Sequence, residues 1–254
     1  NMDTKLTGKT RIESDLIGAR EIPAEALYGV QTLRGIENFS ISKFRLSEYP
    51  LFIKGLAITK MAAAMANFEL GLLTVEQKDA IIAACGEIID GKHHDQFPVD
   101  MIQGGAGTTT NMNANEVIAN RALELMGHER GEYQYCSPND HVNCSQSTND
   151  AYPTAIHIGM YFKHLQLLPH LEELIASFRK KGEEFSRIIK MGRTQLEDAV
   201  PMTLGQTFNG FASILQDEIA HLNEAAADFL VVNMGATAIG TGICAEPGYA
   251  EKCI

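Results

Sequence analysis

The sequence has no tryptophan, no Cys-x-x-C pair and no surplus of basic residues. Its 254 residues include 32 Asp and Glu against 21 Lys and Arg, which gives a formal net charge of −11. Nucleic-acid-binding proteins need a basic surface that displaces counterions from phosphates, so we expect no nucleic-acid partner. The five cysteines are scattered and lack zinc-finger spacing, which favours reduced thiols over a disulfide framework or a structural zinc site.

Long apolar runs and recognisable signals are also missing. No stretch of 18 consecutive apolar residues occurs, so we expect no membrane-spanning helix and no membrane partner. Residues 1–5 have no apolar signal core, which favours a cytoplasmic protein. The histidines show no ligand spacing with a carboxylate partner, and the sequence predicts no metal site. Residues 105–110 lack the third glycine of a dinucleotide fingerprint, so no nucleotide cofactor is expected.

Most of the chain shows apolar residues at three- and four-residue spacing, which is the period of a helix face. Helices are predicted at 49–70, from a capping-box pattern at Thr74 to about residue 90, at 115–126, along a stretch after residue 150, and over 204–229. Pro169 is expected to kink the long stretch or to begin a second segment. Residues 11–39 indicate irregular structure with a short hairpin. The face expected to be buried in the long stretch contains Ile156, Met160, Leu167, Leu171, Leu174 and Phe178.

The expected fold class is therefore mainly α. We predict an N-terminal helical domain at residues 1–142, followed at residues 143–254 by part of a bundle of long helices. Long apolar-striped helices of this kind pack into elongated bundles. Strand signals are nearly absent from the sequence.

Three loops rich in hydroxyls, amides and glycine are each expected to lead into an apolar helix, at residues 104–113, 145–150 and 192–195. A helix start has unpaired backbone N–H groups and a partial positive charge. Such loops therefore suit a small anion even in an acidic chain. The same residue types are ordinary helix caps, and for any single loop capping is the stronger interpretation. Three loops of this kind shift the balance modestly towards a binding site.

These loops also carry a family likeness. Residues 104–117 resemble the first signature of the fumarase/aspartase superfamily, residues 141–150 resemble its second substrate-binding segment, and residues 190–201 resemble its third. The likeness covers essentially the whole chain. It implies an all-helical homotetramer with each active site built from three subunits, a small dicarboxylate substrate, and no metal or organic cofactor.

Within this superfamily, residues 103–108 and 233–242 resemble the branch that converts L-aspartate reversibly to fumarate and ammonia. The implied reaction begins when a base removes a proton from Cβ. The β-carboxylate then takes up a second negative charge as an aci-carboxylate, and ammonia leaves Cα. Many members have His where Gln195 stands, and because Gln cannot titrate, this position favours the ammonia-lyase over the hydratase.

The resemblance also assigns site residues. The substrate-binding residues carried over from it are Thr108, Ser147, Thr148, Asn149, Thr194 and Gln195. The first three would hold the β-carboxylate, the fourth would lie near the amino group, and the last two would lie near the α-carboxylate. The family's base serine sits in a Gly-Ser-Ser loop that does not occur in these 254 residues. We therefore expect the base serine beyond Ile254, no catalytic residue within this chain, and no activity from the isolated chain.

Two other interpretations stay open at this point. The chain could be part of a fumarate hydratase that interconverts fumarate and malate. It could also be a non-catalytic helical segment that oligomerises through its long helices.

Overall fold

The computed structural model describes residues 8–254. The expectation drawn from residues 1–5, that they form no signal segment, lies outside the described residues. The chain is mainly helical, which confirms the expected fold class. The α-helices are α1 (Val30–Asn38), α2 (Pro50–Glu69), α3 (Val75–Ile89), α4 (Thr108–Leu125), α5 (Thr148–Glu184), α6 (Leu204–Ala227) and α7 (Tyr249–Lys252). The strands are β1 (Thr10–Asp15), β2 (Gly18–Pro23), β3 (Ile189–Thr194) and β4 (Glu197–Thr203).

Contacts within the chain divide it into two compact units. The first runs through Gly159 and also includes Val232–Ile254, and the second is Met160–Val231. The predicted domain boundary between residues 142 and 143 stays a prediction.

The core of the first unit lies between α2, α3 and α4. Ile53, Ala57 and Ala64 on α2 are buried, as the helical period predicted. Helix α3 begins with the predicted capping box, in which the Thr74 hydroxyl accepts from the Gln77 backbone N–H and the Gln77 side chain accepts from the Thr74 N–H. The spacing of apolar residues was therefore enough to locate this part of the core.

Helix α1 was not predicted, because its start depends on a residue far along the chain. The carboxylate of Glu116, on α4, accepts backbone N–H groups from Gly29, Gln31 and Thr32 at 2.8–3.0 Å. These are the N–H groups that a helix start leaves unpaired. Antiparallel β1 and β2 form the short hairpin that was expected within residues 11–39.

Helices α2 and α5 approach each other closely within the first unit. A Cβ added to Gly55 would lie 2.3 Å from the Ala155 carbonyl oxygen, and one added to Gly159 would lie 3.1 Å from the Leu51 carbonyl oxygen. Both positions therefore need glycine for packing. This close crossing sets the first turns of α5 against the core.

One predicted helix boundary was wrong. Helix α4 begins at Thr108 rather than at residue 115, because buried contacts hold the asparagine-rich segment of low helix propensity in helical form. Helix α5 runs from Thr148 to Glu184, so no second helix begins at Pro169, and the alternative expectation of a kink there stays a prediction.

The second unit contains a hairpin that the sequence did not indicate. Strands β3 and β4 pair antiparallel, with Thr194 opposite Glu197, so residues 192–195 lie in a strand and its turn and not at a helix start. The next helix, α6, begins after Thr203, whose hydroxyl accepts from the Gln206 N–H. The idea of three loops at three helix starts is therefore wrong for the third loop.

The apolar face predicted for the later part of α5 is not buried within this chain. Met160, Leu167 and Leu174 are 44–48% exposed. The second unit covers only part of its apolar surface, through a cluster of ring contacts that join Phe178 and Phe185 to Phe208 and Phe211. The helical period correctly located the apolar stripe on α5, but the period alone cannot predict which part of the protein or of a partner covers that stripe.

One helix among residues 8–254, α2, is long and apolar enough to cross a membrane by length and composition alone. Just over half of its apolar window, 56%, is buried inside the protein. The core helix of a globular domain passes the same test, and α2 contributes Ile53, Leu56 and Ala57 to this core.

Candidate functional site

The starts of α4 and α5 lie side by side in the first unit. The Asn111 side-chain Nδ2 of α4 donates to the Thr148 hydroxyl oxygen of α5 at 3.2 Å. Gly107, at the N-cap of α4, faces the Tyr152 ring so closely that an added Cβ would lie 2.6 Å from it. The fold therefore brings the first two predicted loops together, with Thr108 beside one helix start and Ser147 to Asn149 at the other.

The start of α4 has unusual backbone geometry. Gly105, Ala106 and Gly107 all have positive φ angles, of 70°, 51° and 95°. Such angles favour glycine, so the one at Ala106 is a strained position. The N-cap residue of α4, Gly107, has no side chain, but the Gln103 side-chain oxygen accepts from the Thr110 backbone N–H at 2.7 Å. The exposed Thr108 hydroxyl donates to the Gly105 carbonyl oxygen at 2.6 Å. Gln103 therefore caps one N–H group of this helix start, which keeps its partial positive charge near Thr108.

The start of α5 is capped by its own residues. The Ser147 hydroxyl accepts from the Asn149 backbone N–H at 3.2 Å, and the Ser147 N–H donates to the Asp150 carboxylate at 2.8 Å. The exposed Asn149 amide donates to the Ala238 carbonyl oxygen at 2.9 Å. Ser147 therefore caps α5 by accepting the Asn149 N–H through its hydroxyl oxygen, and this bond does not use the hydroxyl proton.

Asp150 connects this turn to a glycine-rich loop. Its fully buried carboxylate also accepts the backbone N–H groups of Gly235 and Thr237, both at 3.1 Å. Asn233 donates from its side chain to the Asn149 carbonyl oxygen at 3.1 Å. The loop at residues 233–242 is therefore fastened to the first turn of α5.

A fully buried lysine lies beneath the paired helix starts. The Lys60 ammonium donates to the side-chain oxygens of Asn111 at 2.7 Å, Gln146 at 2.8 Å and Asn143 at 2.9 Å. Burial lowers the pKa of Lys60 to about 7, and the nearby Asp150 charge opposes that shift. Three oxygens for three N–H groups nevertheless match the ammonium form, because a neutral amine has only two protons to donate.

The amides around Lys60 hold the loop that leads into α5. The Asn143 oxygen also accepts from Asn111 and from Asn115, both at 3.1 Å, and the Gln146 amide donates to two carbonyl oxygens of the same loop. Sequence reasoning did not single out Lys60. The signal was present, because Lys60 follows Ala57 by three residues on the face predicted to be buried, where an unpaired lysine would be costly.

The remaining predicted site residues belong to the second unit. Thr194 is the last residue of β3, and Gln195 with Leu196 forms the two-residue turn of the hairpin. Both turn residues have positive φ, 47° and 67°, which is the geometry of a tight hairpin turn. Thr194 and Gln195 are exposed, and they are not among the residues that the first unit brings together.

A metal site of the usual composition is not evident in residues 8–254. No group of three or more His, Cys, Asp or Glu side chains there is arranged to hold a metal ion. The polar groups that meet at the helix starts are hydroxyls, amides and backbone N–H groups, which suit an anion.

Comparison with known proteins assigns the chain to a family. A family model described as "Lyase" matches residues 18–254, nearly the whole chain. The chain belongs to this lyase family. It is 59% identical to an aspartate ammonia-lyase of Pseudomonas canavaninivorans over 96% of its own length and 52% of that relative.

Solved structures of the family have the same fold. A fumarate lyase:delta crystallin of Brucella melitensis, bound to cobalt, superposes with a TM-score of 0.94 at 54% identity, over 96% of this chain and 53% of the other. A class II fumarase of Schistosoma mansoni superposes with a TM-score of 0.89 at 37% identity, over 96% and 51%. The chain thus spans about half the length of the relatives it matches.

Proposed function

We propose that this lyase-family chain contributes the carboxylate-binding part of an enzyme that converts L-aspartate reversibly to fumarate and ammonia. The observation that carries the proposal is the meeting of two helix starts, where the Thr148 hydroxyl of α5 lies against Asn111 in the first turn of α4 and Ser147 directly precedes Thr148. The likeness at 59% identity to an aspartate ammonia-lyase, against 37% to a fumarase, supports aspartate over malate as the substrate.

The chemistry required of this site is the stabilisation of charge. Removal of a Cβ proton places a second negative charge on the neighbouring carboxylate. Hydroxyl and N–H donors that already point at this oxygen stabilise the charge without having to reorganise during the reaction. In this proposal Ser147 and Thr148 serve that carboxylate, and Thr108 joins them when its hydroxyl turns from the Gly105 carbonyl oxygen to the ligand. Asn149 lies near the amino group, and Thr194 and Gln195 serve the α-carboxylate.

The second unit supports an assembly of several copies. Leu174, Phe211 and Ile214 are 44%, 48% and 62% exposed in the single chain, along helices with apolar stripes. Exposed apolar surface of this kind commonly marks a protein interface. We therefore extend the proposal to a homotetramer that contributes Thr194 and Gln195 to a shared site.

The test is an assay of two proteins, the chain alone and the chain joined to the second half of the Pseudomonas canavaninivorans relative. We expect the joined protein to release fumarate from L-aspartate, and the chain alone to release only a trace. Thr148→Val in the joined protein is the matched variant, because it removes the hydroxyl and keeps the shape. Hydration of fumarate to malate in place of deamination would favour the hydratase, and no lyase activity in a folded joined protein would contradict the proposal.

A further inference from the structure

The direction of each hydrogen bond around Lys60 is fixed by chemistry. A lysine ammonium only donates, so the three side-chain atoms that face it must be the oxygens of Asn111, Asn143 and Gln146. An amide that points its oxygen at Lys60 must point its NH₂ group elsewhere. Lys60 therefore decides the orientation of all three amides.

This orientation is passed on to the candidate site through Asn111. Its oxygen accepts from Lys60 at 2.7 Å, and its NH₂ group donates to the Thr148 hydroxyl oxygen at 3.2 Å and to the Asn143 oxygen at 3.1 Å. A reversed amide would present an acceptor to Thr148 and an NH₂ group to the Lys60 ammonium. Because that arrangement sets two donors against each other, the fully buried position of Lys60 excludes it.

The consequence at Thr148 concerns its proton. A hydroxyl has one proton and two lone pairs, and Asn111 occupies a lone pair. Within residues 8–254 the Thr148 hydroxyl has no described acceptor, and its side chain is partly exposed. The proton is thus left to bond a group that comes from outside.

We propose that Lys60 is a positioning residue that acts through Asn111 to keep the Thr148 hydroxyl oriented as a hydrogen-bond donor towards a ligand carboxylate. The part of this inference that concerns the ligand rests on the proposed function. The part that concerns the Thr148 proton rests only on the contacts among Lys60, Asn111 and Thr148, and can be tested without a ligand. Lys60 itself lies beneath the site and touches no substrate.

Asn111→Asp is the informative substitution because it reverses the bond to Thr148 and retains a partner for Lys60. It also removes the bond to the Asn143 oxygen, a loss that the control variant shares. The introduced carboxylate can accept from the ammonium, but it cannot donate, so the Thr148 hydroxyl has to turn its proton inwards. Asn115→Asp is the matched control. It adds the same charge one turn along α4, next to the same Asn143 oxygen, where Asn115 makes no described contact with Thr148.

The first arm measures exchange of the Thr148 hydroxyl proton by NMR in this chain without ligand. We expect fast exchange in the unsubstituted protein and in Asn115→Asp, and a protected, observable proton in Asn111→Asp. Equal exchange in all three folded proteins would overturn the inference, whatever the protein binds. If Asn111→Asp does not fold, Asn111→Leu replaces it, with the expectation that binding in the second arm weakens less than in Thr148→Val because the hydroxyl is released and not removed.

The second arm measures the dissociation constant of fumarate by NMR titration of the same proteins and of Thr148→Val. We expect Asn111→Asp and Thr148→Val each to weaken binding by about tenfold, because each removes a bond to a charged group. In the double variant Asn111→Asp/Thr148→Val, the hydroxyl donor is already lost through Thr148→Val. Asn111→Asp should then raise the dissociation constant of fumarate by no more than the factor that Asn115→Asp produces alone. Two factors that simply multiply would overturn the inference.

The two arms separate the two proposals. If the unsubstituted chain shows no fumarate binding while the proton behaves as expected, the proposed function fails in this chain and the role of Lys60 in orienting Thr148 stands. If fumarate binds and the proton exchanges equally in all variants, the role of Lys60 fails and the proposed function stands.

Discussion

Thr148 and Thr194 are both assigned to carboxylate binding, but the chain supports them very differently. Thr148 lies at a helix start above a buried layer of amides, with Lys60 at its centre and all of its N–H groups paired. Thr194 is exposed at the end of a strand, next to a two-residue turn. Buried side chains of the first unit hold Thr148 in place. Thr194 has no comparable layer of buried amides beneath it among residues 160–231.

This difference concerns how firmly each position is held before a ligand arrives. A binding residue is effective when surrounding contacts hold it before the ligand arrives. The first unit supplies such contacts for Ser147 and Thr148 from within the chain. For Thr194 and Gln195 we infer that further copies supply them, which agrees with the exposed apolar surface of the second unit. Thr148 should therefore lose stability when the buried layer under it is changed, and substitution of Thr194 should leave the stability of the single chain nearly unchanged.

The largest effect is expected for Lys60→Met, which removes the charge and nearly preserves the volume. The oxygens of Asn111 and Gln146 would lose the donor that the structure gives them and would stay buried. A buried acceptor without a partner costs about 1–3 kcal/mol, so we expect the free energy of unfolding to fall by about 3 kcal/mol. Urea unfolding of the unsubstituted chain and of Lys60→Met measures this difference in free energy. A variant as stable as the unsubstituted chain would show that the amide layer under Thr148 does not depend on Lys60.

The pH dependence of that difference tests the charge on Lys60. Burial lowers its pKa from 10.5 to about 7 in the folded protein, where Asp150 and Cys85 are the titratable groups that act on it. Between these two pKa values the unfolded chain binds the proton more strongly, so this residue adds stability as the pH rises from about 7 towards 10. The deficit of Lys60→Met should therefore grow over that interval, as the folded amine loses its proton. The amide orientations derived from the ammonium form then apply at and below about pH 7, which is where the exchange and binding measurements belong. A constant deficit would mean that the folded protein keeps the ammonium charged throughout.

The sequence predicted the first position far better than the second. Apolar spacing located α2 and its buried face, and the hydroxyl-rich stretch at residues 145–150 was correctly placed at a helix start. The network under it was not predicted, because Lys60 and Asn143 are 83 residues apart and only the fold makes them neighbours. The β3–β4 hairpin was missed because Gly192 and Pro201 normally interrupt strands, and here the pairing shifts register between Met191 and Arg193.

A smaller effect is expected for Asp150→Asn, which changes one oxygen of the buried carboxylate to an NH₂ group. Asp150 accepts three backbone N–H groups, and an amide oriented to accept from Ser147 would direct its own N–H groups at those of Gly235 and Thr237. We expect a loss of about 1–3 kcal/mol. Hydrogen exchange of the Gly235 and Thr237 amides should rise more than exchange in α3, and a uniform rise would show that Asp150 stabilises the whole unit and not this loop.

The smallest effect is expected for Thr194→Val. Valine has the same shape and β-branching, which suits a strand, and the Thr194 side chain is exposed. The free energy of unfolding should therefore change by less than about 0.5 kcal/mol, whereas Thr148→Val should cost about 1 kcal/mol because the Asn111 amide loses its bond to the hydroxyl. If both residues bind carboxylates, the two variants should weaken fumarate binding alike in the assembled protein and differ only in stability. An equal loss of stability in the single chain would remove the distinction between the two positions, because Thr194 would then also depend on contacts within its own unit.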